Sequence, residues 1–179
     1  TDGAGNIRDT SYDSLGRRLR LDDLHTPYDQ SFSSWTHSYD DAGNLTRYTD
    51  AAGASITYEY DVLNRIIRED LSDTSASPDI SYNYDGGQFG LGRLQSVSRD
   101  DVSTGYEYDA FGNTIRMKRT VNQEIFITSY KYDLSGKVTS SLAPNDVGTE
   151  YSYNQVGQLE TLDVVFRDKS RHPVIFDKE

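Results

Sequence analysis

Aromatic and polar residues alternate with a period of two at five places along this chain. Each place reads tyrosine, one polar residue, tyrosine, and the five pairs are Tyr58 and Tyr60, Tyr82 and Tyr84, Tyr106 and Tyr108, Tyr130 and Tyr132, and Tyr151 and Tyr153. Residues two apart lie on the same face of a β-strand but do not face each other on a helix. The alternation therefore predicts strands with one aromatic face and one polar face.

A short turn motif of the form D-x-x-G follows most of these strands. Its aspartate can accept hydrogen bonds from backbone N–H groups further along the turn, and its glycine tolerates a left-handed conformation. Together they predict a hairpin that reverses through a type I turn and a bulge. Clear examples begin at Asp40, Asp109 and Asp133. Asn64 replaces the glycine in one unit, and the longer segment YDGGQFGLGRL begins at Tyr84 in another.

The strand and turn signals recur at nearly constant spacing. Seven units align on the tyrosine before the turn, at steps of 27, 21, 24, 24, 24 and 21 residues: Tyr12, Tyr39, Tyr60, Tyr84, Tyr108, Tyr132 and Tyr153. A unit of this length holds two strands of roughly 5–7 residues and two connections, which gives about 14 strands in all. The sequence therefore predicts an all-β fold of tandem antiparallel hairpins, in a sheet that curves or spirals because long twisted sheets curl.

We predict a structural role for the repeated tyrosine, aspartate and glycine residues. Tyrosines would pack across neighbouring strands, at about 0.2–1 kcal/mol per pair, while aspartates and glycines would form the turns. The residues are Tyr12, Asp13, Gly16, Tyr39, Asp40, Gly43, Tyr58, Tyr60, Asp61, Tyr82, Tyr84, Asp85, Tyr106, Tyr108, Asp109, Gly112, Tyr130, Tyr132, Asp133, Gly136, Tyr151, Tyr153 and Gly157. Because only 35% of residues are hydrophobic and 14 are tyrosine, we expect tyrosine to supply the buried side chains.

The repeat array is expected to cover residues 1–162. The first five residues, TDGAG, match TDAAG at 49–53, which predicts that the chain begins part-way through a repeat of a longer protein. Residues 163–179 leave the pattern, and the sequence leaves three alternatives open for them: a hairpin turning near 169–173, a cap, or the edge of a neighbouring segment. Unpaired edge strands would favour self-association.

Charge and composition narrow the classes of function. A net charge of −11 disfavours nucleic acid and anionic membranes as partners, and no apolar run reaches the roughly 18 residues of a membrane span. Disulfide and thiolate chemistry are excluded because the chain has no cysteine. The histidines, His25, His37 and His172, do not have the spacing of a zinc site, and no catalytic or phosphate-binding motif occurs. We predict no catalytic, cofactor-binding or metal-binding residues, and hence no enzyme.

The phrase Y-D-x-x-G, followed by Asn, Arg, Lys or Gln and recurring mostly at steps of 21 to 24 residues, resembles the YD repeats of the Rhs/YD-repeat family. This family includes bacterial Rhs polymorphic toxins, wall-associated proteins, the C component of insecticidal toxin complexes and animal teneurins. The resemblance implies a sheet that spirals into a hollow shell, which in the bacterial toxins encloses a toxic C-terminal domain. The family's self-cleaving aspartates, near a D-P-x-G-L phrase, have no match here, so no protease activity is implied.

From this resemblance we expect a secreted or cell-surface protein that acts as a scaffold. Its partners would be the rest of the parent polypeptide and an encapsulated toxin domain. The alternative is an adhesion module whose tyrosine rows bind a neutral glycan or another cell-surface partner. We favour the structural role because the same tyrosine positions recur in almost every unit, as sheet stabilisation requires.

Overall fold

The computed structural model describes residues 3, 5–23, 25–26, 33–71 and 79–174, and all of their regular structure is β-strand. Three residues of the initial TDGAG segment (1, 2 and 4) lie outside this part of the chain, as do 175–179. The strands are β1 Thr10–Tyr12, β2 Arg18–Asp22, β3 Ser34–Tyr39, β4 Leu45–Thr49, β5 Ser55–Tyr60, β6 Ile66–Leu71, β7 Ile80–Tyr84, β8 Leu94–Arg99, β9 Val102–Tyr108, β10 Thr114–Val121, β11 Glu124–Tyr132, β12 Val138–Leu142, β13 Gly148–Tyr153, β14 Leu159–Val165 and β15 Arg171–Pro173. The predicted all-β fold of antiparallel hairpins is confirmed.

The chain divides into two compact units, and the first spans Thr1–Ser81. In this unit β1 to β6 lie side by side in chain order, and β6 pairs with Ile80 and Ser81 of β7. The register shifts by one residue beside Tyr12, Tyr39 and Tyr60, at the end of each hairpin that a repeat turn closes. These shifts are the bulges that the turn motif predicts.

The second unit spans Tyr82–Glu179 and repeats the same arrangement. Here β8 to β15 follow one another in chain order, with the Tyr82–Tyr84 part of β7 beside β8. Bulges occur beside Tyr108, Tyr132 and Tyr153, as in the first unit. The β9–β10 pair joins seven residue pairs, and the β10–β11 and β13–β14 pairs join six each.

Within the described part of the chain, the strands of each unit contact only their neighbours in sheet order, and they enclose no packed core. Among the described residues no hydrophobic side chain is buried, and the buried polar side chains are His25 and Ser55. The expectation that tyrosine would supply buried side chains is therefore wrong for the described part of the chain. Its rings lie half-buried or exposed on the sheet surface, because no second layer covers them.

The last described segment forms a hairpin. The backbone N–H of Phe166 donates to the carbonyl of Ser170 at 3.0 Å, and Lys169 takes the left-handed conformation with φ of 66°. Strand β14 runs across the expected boundary after residue 162 and pairs with both β13 and β15. The division of the chain into a repeat array and a separate terminal segment stays a prediction.

Candidate functional site

In most repeats, the turn aspartate organises the hairpin end by accepting several hydrogen bonds. In the best-defined case, Asp133 Oδ1 accepts from the backbone N–H of Ser135 at 2.8 Å and of Lys137 at 3.0 Å. The backbone N–H of Gly136 donates to the carbonyl of Asp133 at 3.1 Å, and Gly136 has φ of 82°. The bond from the N–H four residues on recurs at Asp13, Asp40, Asp61 and Asp109.

These hydrogen bonds favour the ionised carboxylate and lower its pKa. The pKa lies below the ordinary aspartate value at Asp13, Asp40, Asp61, Asp109 and Asp133. At Asp40 and Asp109 the largest cause is the side-chain amide of the asparagine four residues on, and at Asp133 it is the Ser135 hydroxyl. At Asp13 and Asp61 the largest cause is the hydrogen bond from the backbone N–H four residues on. The turns are therefore stabilised by carboxylates that stay charged.

The tyrosine that precedes the turn aspartate joins neighbouring hairpins through its hydroxyl. Tyr132 donates from Oη to the carbonyl of Thr114 at 2.8 Å, and Thr114 is the first residue of the returning strand in the preceding hairpin. The same bond, at 2.7 to 3.0 Å, joins Tyr39 to Arg18, Tyr60 to Leu45, Tyr108 to Leu94 and Tyr153 to Val138. Each acceptor begins β2, β4, β8 or β12, so this tyrosine ties one repeat to the next.

Partial burial also changes the titration of these tyrosines. Loss of solvent raises the pKa of Tyr60, Tyr108 and Tyr132 above the ordinary tyrosine value, because it penalises the phenolate. The same cause raises the pKa of Tyr58, the first tyrosine of its pair. The hydroxyls are thus held in the neutral form that can donate to a backbone carbonyl.

The residue after the turn glycine has a role that the sequence analysis did not assign. The side chain of Lys137 reaches the next turn, where Nζ donates to the carbonyl of Gly157 at 2.8 Å and lies 5.1 Å from the ring centre of Tyr153. Arg17 also reaches the next repeat turn, but it donates to the carbonyl of the turn aspartate, Asp40, at 3.2 Å and lies 4.7 Å from the ring centre of Tyr39. The signal was present in the sequence as a recurrent Asn, Arg, Lys or Gln, but its partner depends on how the repeats pair.

The opposite face of the sheet carries cross-strand polar pairs. The residue between the two tyrosines faces the residue seven positions after the turn aspartate: Glu59 lies 3.4 Å from Arg68, and Glu107 lies 3.3 Å from Arg116. These ion pairs are largely exposed, and such pairs stabilise proteins by about 0–1 kcal/mol. Their regular placement indicates a solvated face.

The histidines do not come together. His25 has Nδ1 2.6 Å from the carbonyl of Asp23, His37 packs edge-on against Tyr48 at 5.3 Å, and His172 packs against Phe166 at 5.4 Å. Within the described ranges, no three His, Asp or Glu side chains are grouped so that they could hold a metal ion. The same part of the chain has no helix with the length and hydropathy of a membrane span. The repeat residues form rows along the sheet.

The sequence of part of this chain matches the model of a known protein family. The model of the RHS Repeat matches residues 39–76, which include β4, β5 and β6. This segment of the chain is similar to an Rhs repeat. The resemblance expected from the Y-D-x-x-G motif is therefore confirmed, together with its β-hairpin form. A sequence comparison with curated proteins gave no match.

Solved structures share the fold of this chain over almost its whole length. The crystal structure of TcdB2-TccC3-Cdc42 matches with a TM-score of 0.75 and 14% identity, over 94% of this chain and 9% of the other. The crystal structure of TcdB2-TccC3 matches with a TM-score of 0.69 and 17% identity, over 93% of this chain and 10% of the other. The structure of the Photorhabdus luminescens Tc holotoxin pore matches with a TM-score of 0.51 and 15% identity, over 94% of this chain and 12% of the other. The chain thus spans about a tenth of the length of these structures, and the likeness establishes the fold.

Proposed function

We propose that this Rhs-repeat chain is a non-enzymatic segment of a shell wall that encloses another polypeptide, as in toxin delivery. The observation that carries the proposal is the tyrosine hydroxyl bond from one hairpin to the next, found at Tyr39, Tyr60, Tyr108, Tyr132 and Tyr153. A bond that recurs once per repeat strengthens an extended sheet. It does not gather unlike chemical groups at one place, as catalysis requires.

The comparisons support the same proposal. The solved structures of similar fold are TcdB2-TccC3 and Tc holotoxin assemblies, and their chains are about ten times longer than the matched segment. The natural partner of the chain would then be the rest of its own polypeptide, with a toxin domain as cargo. The location that fits this role is secreted or at the cell surface.

The alternative function, adhesion through rows of tyrosine, has weaker support. A ring that stacks on a sugar must leave its face open, whereas Lys137 lies over Tyr153 and Arg17 lies over Tyr39. The hydroxyls of both tyrosines are also bonded within the sheet. Their contacts favour a role in holding repeats together.

Limited proteolysis of the full-length polypeptide that contains this chain would test encapsulation. Trypsin fragments are identified by mass spectrometry over time, and cargo peptides are expected to survive much longer than linkers outside the shell. Replacing Tyr132 and Tyr153 by alanine removes two bonds between repeats and should shorten the survival of the cargo. Glu59→Gln, which alters an exposed ion pair on the opposite face, serves as the control. Cargo cleaved as fast as exposed linkers in the unmodified protein would contradict the proposal.

A further inference from the structure

The repeat turns of the second unit carry a row of exposed apolar side chains. Because the antiparallel strands follow one another in chain order, all repeat turns lie at one rim of the sheet, the turn rim, and the connections between repeats lie at the other. Every repeat turn or loop at this rim holds a large apolar residue that is 77–95% exposed: Leu91, Phe111, Leu134 and Val156. Successive turns are two strands apart, so these side chains recur about every 10 Å.

The fold of the turns does not require this row. The two central positions of a type I turn accept most residues, and polar residues dominate in turns. In the first unit the row is interrupted, because Ala42 lies between Leu15 and Val62. At the opposite rim of the second unit, the central positions of the connections are mainly polar: Asp100 and Asp101, Asn122 and Gln123, Pro144 and Asn145, and Arg167 and Asp168. A row of this kind marks a surface for contact with another molecule.

The opposite rim has a hollow that can receive such a side chain. The hollow lies between the start of β11 and the β12–β13 connection, and its volume is about 250 Å³. Ser129 pairs with Leu142, and Ile127 and Ile125 lie two and four positions before Ser129, so their side chains share one face of the sheet. Pro144 closes the hollow at the rim. It is smaller than the usual pocket for a small molecule, about 300–1,000 Å³, and suits one apolar side chain.

The next connection along this rim is spaced like the next turn. The β12–β13 and β14–β15 connections are two strands apart, and the second begins with Phe166, which is 41% exposed. A turn rim laid against this rim can therefore place one apolar side chain in the hollow and the next against Phe166. A partner that matches at both places needs the same two-strand period, and a second copy of this chain has it.

Two other arrangements fit less well. If two turn rims met, neither would offer a hollow, and the turn carboxylates of both copies, such as Asp109 and Asp133, would approach each other. A membrane would have to accommodate the same carboxylates, which are ionised because hydrogen bonds lower their pKa, and removing such charges from water is costly.

We propose that the second unit binds a second copy of this chain head to tail, with an apolar turn side chain of one copy in the hollow beside Pro144 of the other. A head-to-tail contact leaves one turn rim and one hollow free, so associating copies form open chains. The contact is small, and small interfaces are weak. This interaction goes beyond the proposed shell role and does not depend on the enclosure of a cargo.

Sedimentation velocity of the isolated chain tests this proposal. The average mass of the unmodified chain should rise with concentration up to about 1 mM. Phe111→Asp combined with Leu134→Asp, the turn variant, alters every pair of neighbouring side chains in the row. Ile125→Asp, the hollow variant, places a charge in the hollow. Each should weaken association about tenfold or more. Gln155→Asp, which adds a charge at an exposed polar position of the turn rim, is the control and should leave association unchanged.

A mixture of the two variants identifies the geometry of the contact. The turn variant retains its hollow and the hollow variant retains its turn side chains, so an equimolar mixture should form dimers of one copy each that do not grow further. If Ile125→Asp loses the fold, Pro144→Glu, at an exposed position of the same hollow, replaces it.

Four results would overturn the proposal. The unmodified chain could stay monomeric up to about 1 mM, or the mixture of variants could stay monomeric. Both variants could associate as the unmodified chain does, which is the result expected if open sheet edges pair instead. Binding to vesicles of neutral phosphatidylcholine that is lost in the turn variant would identify a membrane as the partner of the row.

Discussion

The two tyrosines of each pair lie on one face of a strand but have different surroundings. In β11, Tyr132 donates its hydroxyl proton to the carbonyl of Thr114 in the preceding hairpin. Tyr130, two residues earlier, has no hydroxyl partner among the described residues. In this strand, Tyr132 is therefore specified by its hydroxyl and its ring, whereas Tyr130 is specified by its ring.

This difference predicts unequal effects of removing the two hydroxyls. Tyr132→Phe should lower the free energy of unfolding by about 0.5–1.5 kcal/mol, the usual net value of one hydrogen bond, and it leaves the carbonyl of Thr114 without that donor. Tyr130→Phe, the matched control in the same strand, should lower the free energy of unfolding by less than half as much. Urea unfolding of both variants measures the contrast, and equal losses would show that the inter-repeat bond contributes nothing.

The turn glycine gives a second prediction at the residue scale. Gly136 has φ of 82°, and a Cβ atom there would meet only Asn113 Oδ1 at 3.8 Å, so conformation and not packing decides the cost of a substitution. Gly136→Ala should destabilise the protein by about 1–2 kcal/mol. Gly136→Asn should cost less, since Asn64 occupies the same position at φ of 60°. Thermal unfolding separates the two, and an alanine variant as stable as the asparagine variant would refute this account.

At the scale of the hairpin, the sequence carries most of the information because the turn is local. Aspartate, glycine and the alternating tyrosines predicted the strands, the turns and the bulges beside Tyr60 and Tyr132. The contact from Lys137 to Gly157 could not be predicted in this way. It depends on the register between repeats, which arises only when successive hairpins pair. The groove that Gly86 and Gly87 of the long loop line could not be predicted either, because the sequence shows the loop but not where it folds.

The turn carboxylate predicts a dependence of hairpin stability on pH. The pKa of Asp109 in the folded chain lies below the ordinary value of 3.8, mainly because Asn113 donates to it. The Asp109 carboxylate therefore contributes fully to the stability of the folded chain above the pKa that it has in the unfolded chain. This contribution is lost as the pH falls through the lower pKa that it has in the folded chain. Asp109→Asn keeps an acceptor oxygen but cannot titrate. The variant should be less stable at pH 7, and the difference should narrow below about pH 4.

Another repeat turn of the second unit supplies the control for this experiment. Asn154 occupies the aspartate position of the last repeat and accepts from the N–H groups of Val156 and Gln158 at 3.1 and 2.9 Å. Asn154→Ala removes these bonds without removing a titrating group. Its loss of stability should stay constant across the same pH range when both variants are followed by urea unfolding. A constant difference for Asp109→Asn as well would rule out the charged carboxylate as the source of turn stability.

For the molecule as a whole, the decisive quantity is how much surface the sheet leaves uncovered. The chain of 20.2 kDa exposes 12456 Å². A compact monomer of that mass exposes about 8,800 Å², and its unfolded chain about 29,000 Å². In the described part of the chain, hairpins pair only with their neighbours, so tyrosine rings that a second layer would cover stay half-exposed and contribute to this excess. In the proposed shell, this excess is the surface that contacts with the rest of the polypeptide would cover.

The uncovered surface predicts a shallow response to denaturant. The slope of unfolding free energy against urea concentration scales with the area exposed on unfolding, and folding here buries about a fifth less area than in a compact protein of equal mass. We therefore expect a slope about a fifth smaller than that of a compact all-β protein of the same length, measured in the same buffer. Circular dichroism during urea titration gives both values. A slope equal to that of the compact protein would mean that the isolated chain covers its tyrosine face in solution, which would remove the physical reason for a partner on that face.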